Sequence, residues 1–157
     1  MKNWLLCTFA TASALASSGL HAALAPDELF RKLAPSVWQV ATLDAAGKPL
    51  STGSAVVMGP ETLVTNCHVL KGAASLAVRQ EGVLYRARLQ HADTERDLCI
   101  INAARLPSAA VQQAAGAPQV GQRIYTIGSP KGLEATLSDG LVSGLRRAGA
   151  GVLMFIQ

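Results

Sequence analysis

Aromatic side chains are scarce in this chain: Phe, Tyr and Trp make up 4% of the residues, while 50% are hydrophobic. A core with so few large rings has to be assembled from Val, Leu, Ile and Ala. Charge of one sign is lacking too. The formal net charge is +4, with one unit of it on Lys2. The other bases come in scattered short pairs, such as Arg31-Lys32, Arg86 with Arg88, and Arg146-Arg147. Pairs of this kind are usually solvated faces, and none reads as a nucleic-acid stripe. Long apolar runs are also missing. The longest, from Trp4 to about Leu15, falls short of the roughly 20 residues that cross a bilayer.

The same N-terminal run has a different meaning. Lys2-Asn3 is followed by Trp4-Leu5-Leu6-Cys7-Thr8-Phe9-Ala10, and small residues lead to His21-Ala22-Ala23-Leu24-Ala25. A basic start, a short apolar stretch and small residues at a cut point describe a secretory signal peptide. Cleavage after Ala22 fits better than cleavage after Ala25, because Pro26 would lie immediately beyond the second cut. Residues 1–22 are therefore expected to be removed, leaving an exported protein, periplasmic or secreted, with no integral membrane segment.

Cysteine is nearly absent as well: three residues, of which Cys7 leaves with the signal peptide. The remaining two, Cys67 and Cys99, favour a disulfide in an oxidising compartment. Two buried free thiols form one alternative. A zinc site drawing on Cys67, His68, His91 and Cys99 is another, disfavoured because adjacent Cys67 and His68 point apart and no Cys-x-x-Cys spacing occurs.

What the chain does contain is a series of short β runs. Pro26 to Leu33 reads as one or two helical turns, with acids first, bases last and Pro35 as the stop. From Ser36 onward, runs at Val37–Leu43, Ser54–Met58, Leu63–Thr65, Leu76–Arg79, Val83–Leu89 and Leu98–Ile101 alternate with turn residues. Gln80-Glu81-Gly82 is placed as a hairpin turn. Six strands between Ser36 and Ala103 suffice for one small closed barrel. Residues 104–121, rich in Ala, Gln, Gly and Pro, look like a connector with weak order of its own. Strand signals resume at Arg123–Ile127, Glu134–Leu137, Leu141–Leu145 and Val152–Ile156. The chain reads as all-β: a first barrel over 36–103 after a helical segment over 23–35, and a second unit starting at 122.

Two residues carry chemistry. His68 follows the strand Leu63-Val64-Thr65, and Asp97 stands at the mouth of the apolar strand Leu98-Cys99-Ile100-Ile101. An activated-hydroxyl hydrolase needs an imidazole base and a buried carboxylate that fixes its tautomer. Taken singly, such a His is more often structural and such an Asp a turn residue, so the combination has to carry the argument. Gly53-Ser54-Ala55, Thr65-Asn66-Cys67-His68-Val69 and Asp97-Leu98-Cys99-Ile100-Ile101 together resemble the chymotrypsin-like serine proteases, in particular their bacterial high-temperature-requirement (Deg-type) branch. That branch has a Gly-Ser-Gly strand, Thr-Asn-x-His-Val and Asp-Leu-Ala-Val-Leu in this order. Two later segments add to the likeness. Gly121 to Gly132 is similar to the family's Gly-x-x-Val-x-x-Ile-Gly-x-Pro-x-Gly, and Thr136 to Gly144 to the strand pair that follows it.

The resemblance implies a double β-barrel with the first barrel complete and the second begun. It implies peptide-bond hydrolysis through an acyl-enzyme, with His68 moving the proton and Asp97 orienting it. Exported polypeptides are the implied substrates, and no cofactor is required. The family's Gly-Asn-Ser-Gly-Gly-Pro segment, which supplies the nucleophile and the oxyanion amides, is not found among these 157 residues. Ser54, Ser129, Ser138 and Ser143 match structural segments of the family instead. The expectation is therefore a serine endopeptidase whose 157-residue chain stops before its nucleophile and is inactive by itself. The alternatives are a non-catalytic binding module built on the same barrel, or an inactive gene fragment. A Cys67–Cys99 disulfide would tie the His68 turn to the Asp97 strand.

Overall fold

The computed structural model describes residues 24–107, 109–129, 135–148 and 151–156. The signal-peptide reading and the start of the Glu134–Leu137 run lie outside these residues. Helix α1 spans Pro26–Leu33. Pro26 suits the first helical position, where a missing N–H costs nothing. Arg31 closes a 3.3 Å ion pair onto Asp27 one turn back.

Six strands form a closed barrel: β1 (Val37–Leu43), β2 (Pro49–Gly59), β3 (Thr62–Thr65), β4 (Ser75–Gln80), β5 (Val83–Asp93) and β6 (Leu98–Asn102). Their order around the barrel is β1-β2-β3-β6-β5-β4, with β4 pairing back onto β1. Alternate residues face inward, and the register brings them opposite one another: Trp38 with Ala55, Val57 with Leu63, Leu63 with Ile101, Val78 with Tyr85. This period of two is what a pleated strand imposes. Trp38, Val40, Val57, Leu63, Val78 and Ile101 are fully buried there. Tyr85 meets Trp38 edge-on, with ring centroids 5.3 Å apart, so two of the few aromatics share one core.

Three strands differ from the sequence reading, and β2 begins at Pro49, five residues ahead of the expected Ser54, where it pairs with Leu43. Strand β5 runs on past Leu89 to Asp93, through a register shift between Leu89 and His91. A bulge of this kind lets a strand turn a barrel corner without ending. Segments expected as two strands around Thr136–Leu145 form one strand, β8 (Thr136–Ala148). Asp139-Gly140 falls between the two expected runs. Pairing with β7 (Arg123–Gly128) opposite Leu137–Leu141 holds it extended instead. Strand β9 (Gly151–Ile156) completes a three-stranded sheet in the order β7-β8-β9.

Between β6 and β7 the described residues contain neither helix nor strand. Their order comes from the barrel: Val111 donates its N–H to Val57 O at 2.9 Å, and Ser36 Oγ to Ala109 O at 2.7 Å. The second sheet lies against β1 and β2 on the outer face of the first barrel, and a hydrogen bond fastens it there, where Ser129 N–H donates to Ser54 Oγ at 2.8 Å.

Candidate active site

The site begins with an absence. Gly53 occupies an inward-facing position on β2, opposite Val40. A Cβ there would stand 2.6 and 2.9 Å from the two methyls of Val69. With no side chain at Gly53, Val69 drops into the end of the barrel and is buried. Val69 belongs to a 3₁₀ turn, Cys67–Leu70, so its anchoring also fixes the neighbouring His68 at the barrel rim.

Asp97 approaches the same turn from the mouth of β6. Its φ of +53° lies in the left-handed region, which Asp tolerates better than most residues. In this conformation Asp97 meets the turn with three of its oxygens. Oδ1 accepts the His68 backbone N–H at 2.8 Å, and the carbonyl accepts the Cys67 N–H at 3.3 Å. Oδ2 lies 2.6 Å from His68 Nδ1. The carboxylate thus caps the turn that carries its own histidine, supplying the partners that the first N–H groups of such a turn require. Asn66 adds two more contacts. Its Nδ2 donates to Asp97 Oδ2 at 3.2 Å and to Asp97 O at 3.1 Å.

The hydrogen bonds to the His68 ring and backbone, with the smaller contribution of Asn66, hold the Asp97 carboxyl below the usual carboxylate range. Burial opposes them, by more than Asn66 contributes. An ionised carboxylate can only accept, so the proton of the 2.6 Å contact sits on Nδ1. In the neutral imidazole, Nε2 is then left with a free lone pair, the form a general base must take. The His68 side chain is 70% exposed, so the ring is accessible to a reactant. The sequence argument looks for a buried carboxylate, but the Asp97 side chain is 41% exposed. It stands at the open end of the barrel, in the turn before β6, where little packs over it.

Cys67 and Cys99 are joined by a disulfide, with Cα atoms 5.0 Å apart. Both sulfurs are occupied by each other, so neither serves as a thiolate for a metal. The bond links the residue before His68 to the second residue after Asp97, from strand neighbours already in register at Thr65 and Cys99. Ser54 and Ser129 are used together at the junction of the two sheets, beside a cleft of about 290 Å³ that Thr126, Thr136 and Ser138 also line. Sequence alone gives Asn66 no task within its motif. Its position two residues before the histidine was the available signal.

A closed six-stranded barrel presenting a bonded His–Asp pair at its rim defines the trypsin-like class. The trypsin-like peptidase domain model matches residues 53–156, and the chain belongs to that family. Deg-type and HtrA-type proteases are among the proteins it resembles. It is 33% identical over 138 residues to Protease Do-like 1, chloroplastic, of Arabidopsis thaliana, covering 79% of this chain and 31% of that protein. It is 32% identical over 101 residues to a probable periplasmic serine endoprotease, DegP-like, of Halomonas elongata, covering 62% and 21%. Among solved structures, the serine endoprotease from Yersinia pestis superposes with a TM-score of 0.70 at 25% identity, over 78% of this chain and 45% of that one. The HtrA-type protease AlgW with tripeptide gives 0.68 at 30% identity, over 82% and 42%. The chain thus spans about a third or less of these curated relatives and under half of these solved chains.

Proposed function

We propose that this chain is the His–Asp half of an exported serine endopeptidase. The observation that carries the proposal is the 2.6 Å contact between His68 Nδ1 and Asp97 Oδ2, made by an imidazole whose other face is open. In this reading His68 Nε2 takes the proton of an attacking serine hydroxyl and later returns it to the leaving amine. Asp97 holds the tautomer and stabilises the imidazolium. None of Ser54, Ser129, Ser138 and Ser143 is proposed as the nucleophile, because each matches a structural segment of the family. Polypeptides are the proposed substrates, and the chemistry asks for no cofactor.

Export is part of the proposal and rests on the signal-peptide pattern of residues 1–22. Periplasmic or secreted residence follows from it and agrees with a disulfide beside the site. The proposed division is a helical segment over 23–35, a first barrel over 36–103, a connector over 104–121 and the start of a second barrel from 122.

The test is fluorophosphonate labelling of the gene product as its own cells make it, beside a His68→Ala variant. A serine peptidase labels, and H68A lowers the labelling rate by roughly 10³-fold or more. A folded, exported product that never labels is instead the binding module.

A further inference from the structure

Asn66 stands at the N-terminal boundary of the 3₁₀ turn, with extended backbone at φ −75° and ψ 138°, yet its side chain makes no capping bond to that turn. Asn at such a position ordinarily satisfies the turn's own N–H groups. Here the capping is done by Asp97, through the His68 N–H and the Cys67 N–H. The Asn66 amide is thereby released to reach across 31 residues, where it donates to both the carbonyl and the carboxylate of Asp97.

Asp97 needs such a donor for two reasons. Its backbone is left-handed, a conformation that costs any residue other than glycine some energy, less for Asp than for most, which surrounding contacts offset. Its carboxylate is also free to rotate about the final side-chain torsion, which is broad for Asp. The His68 N–H restrains Oδ1. Oδ2 is shared by the ring and the Asn66 amide, which approach it as two donors. With the backbone carbonyl and Oδ2 held by one planar amide, the aspartate is clamped at both ends.

We propose that Asn66 is a positioning residue that clamps Asp97 in its left-handed, ring-facing conformation and thereby sets the His68–Asp97 hydrogen bond. The inference rests on the peptidase reading only in giving that pair a catalytic purpose. The clamp itself is measurable in the chain without turnover, so its failure and the failure of the peptidase reading are separable.

The test compares the unmodified chain with Asn66→Leu, which has a similar shape and no donor, by NMR. Asn66 is exposed, so the substitution buries no unpaired group. Two signals are followed: the downfield proton of the His68 Nδ1–H, and the Asp97 carboxyl carbon through an acid titration. Asp93 serves as the internal control, because its carboxylate is bonded to Arg96 in the same turn and does not touch Asn66. The expected result is loss or broadening of the Nδ1–H signal and an upward move of the Asp97 titration. The Asp93 titration and the core amide peaks stay in place. An unchanged Nδ1–H signal with an unmoved Asp97 overturns the proposal. So does a joint shift of Asp93 and Asp97 with scattered amide peaks, because Asn66 would then support the turn in general and not the pair.

Discussion

At the scale of single residues the site depends on a side chain that is not there. Restoring a Cβ with Gly53→Ala drives it into the branched methyls of Val69, which is buried and has little rotamer freedom to retreat. Overpacking of this kind costs roughly 1–3 kcal/mol. A lower urea midpoint with an unchanged slope is the expected reading. Because Val69 follows His68, the backbone amide of His68 should shift as well. Asp97 carries the acid sensitivity of the site. Its folded carboxyl is held below its unfolded range by the His68 hydrogen bonds. The stability it contributes is therefore complete above that range and lost as pH falls through the folded value. Asp93 behaves alike through Arg96. Asp97→Asn should flatten the acid limb of a stability-against-pH curve and leave Asp93's share of it. A limb as steep as the original would show that the His68 contact adds nothing to folding.

At the scale of elements, the turn Cys67–Leu70 and the strand β6 belong together through one covalent bond and one carboxylate. The disulfide closes a loop of 32 residues that contains β4, β5 and the hairpin between them. Cross-links over loops of this size contribute roughly 2–4 kcal/mol, mainly by restricting the unfolded chain. Replacing both Cys67 and Cys99 with Ala should lower stability by about that amount, and reductant should lower the original chain equally while leaving the double variant unaffected. Alkylation of both thiols without reductant, found by peptide mapping, would contradict the bond. Element boundaries were legible where residue chemistry is local. Pro26 and Pro35 bracket α1, and the run of strand-forming residues from Val37 to Leu43 marks β1. They were not legible at Gln90, where a bulge carries β5 onward, or at Asp139-Gly140, where pairing with β7 keeps the chain extended. In both places cross-strand hydrogen bonds, made to distant residues, decide the conformation.

At the scale of the whole molecule, the two sheets meet at the Ser54 hydroxyl. It accepts the buried Ser129 N–H, and Gly128 lies so near that a Cβ there would come within 3.2 Å of it. Ser54→Ala leaves that N–H without its partner, at roughly 1–3 kcal/mol. Hydrogen exchange should then quicken along β7 while the barrel strands keep their protection; uniform quickening would mean that the two sheets unfold as one. The sequence by itself determined the class of this protein. Short β runs between turn residues point to a β-barrel, and Gly53-Ser54-Ala55, Thr65-Asn66-Cys67-His68-Val69 and Asp97 before an apolar strand, by their resemblance to the Deg-type proteases, point to a His–Asp pair, because strand propensity and motif order are both written in the residues themselves. Only the tertiary structure decided how that pair is held. The vacancy at Gly53 that seats Val69, the left-handed aspartate that caps its own histidine's turn, and the amide of Asn66 that reaches it all join residues far apart in the chain. Such contacts depend on barrel closure and register, and no local pattern of residues encodes the distance between them.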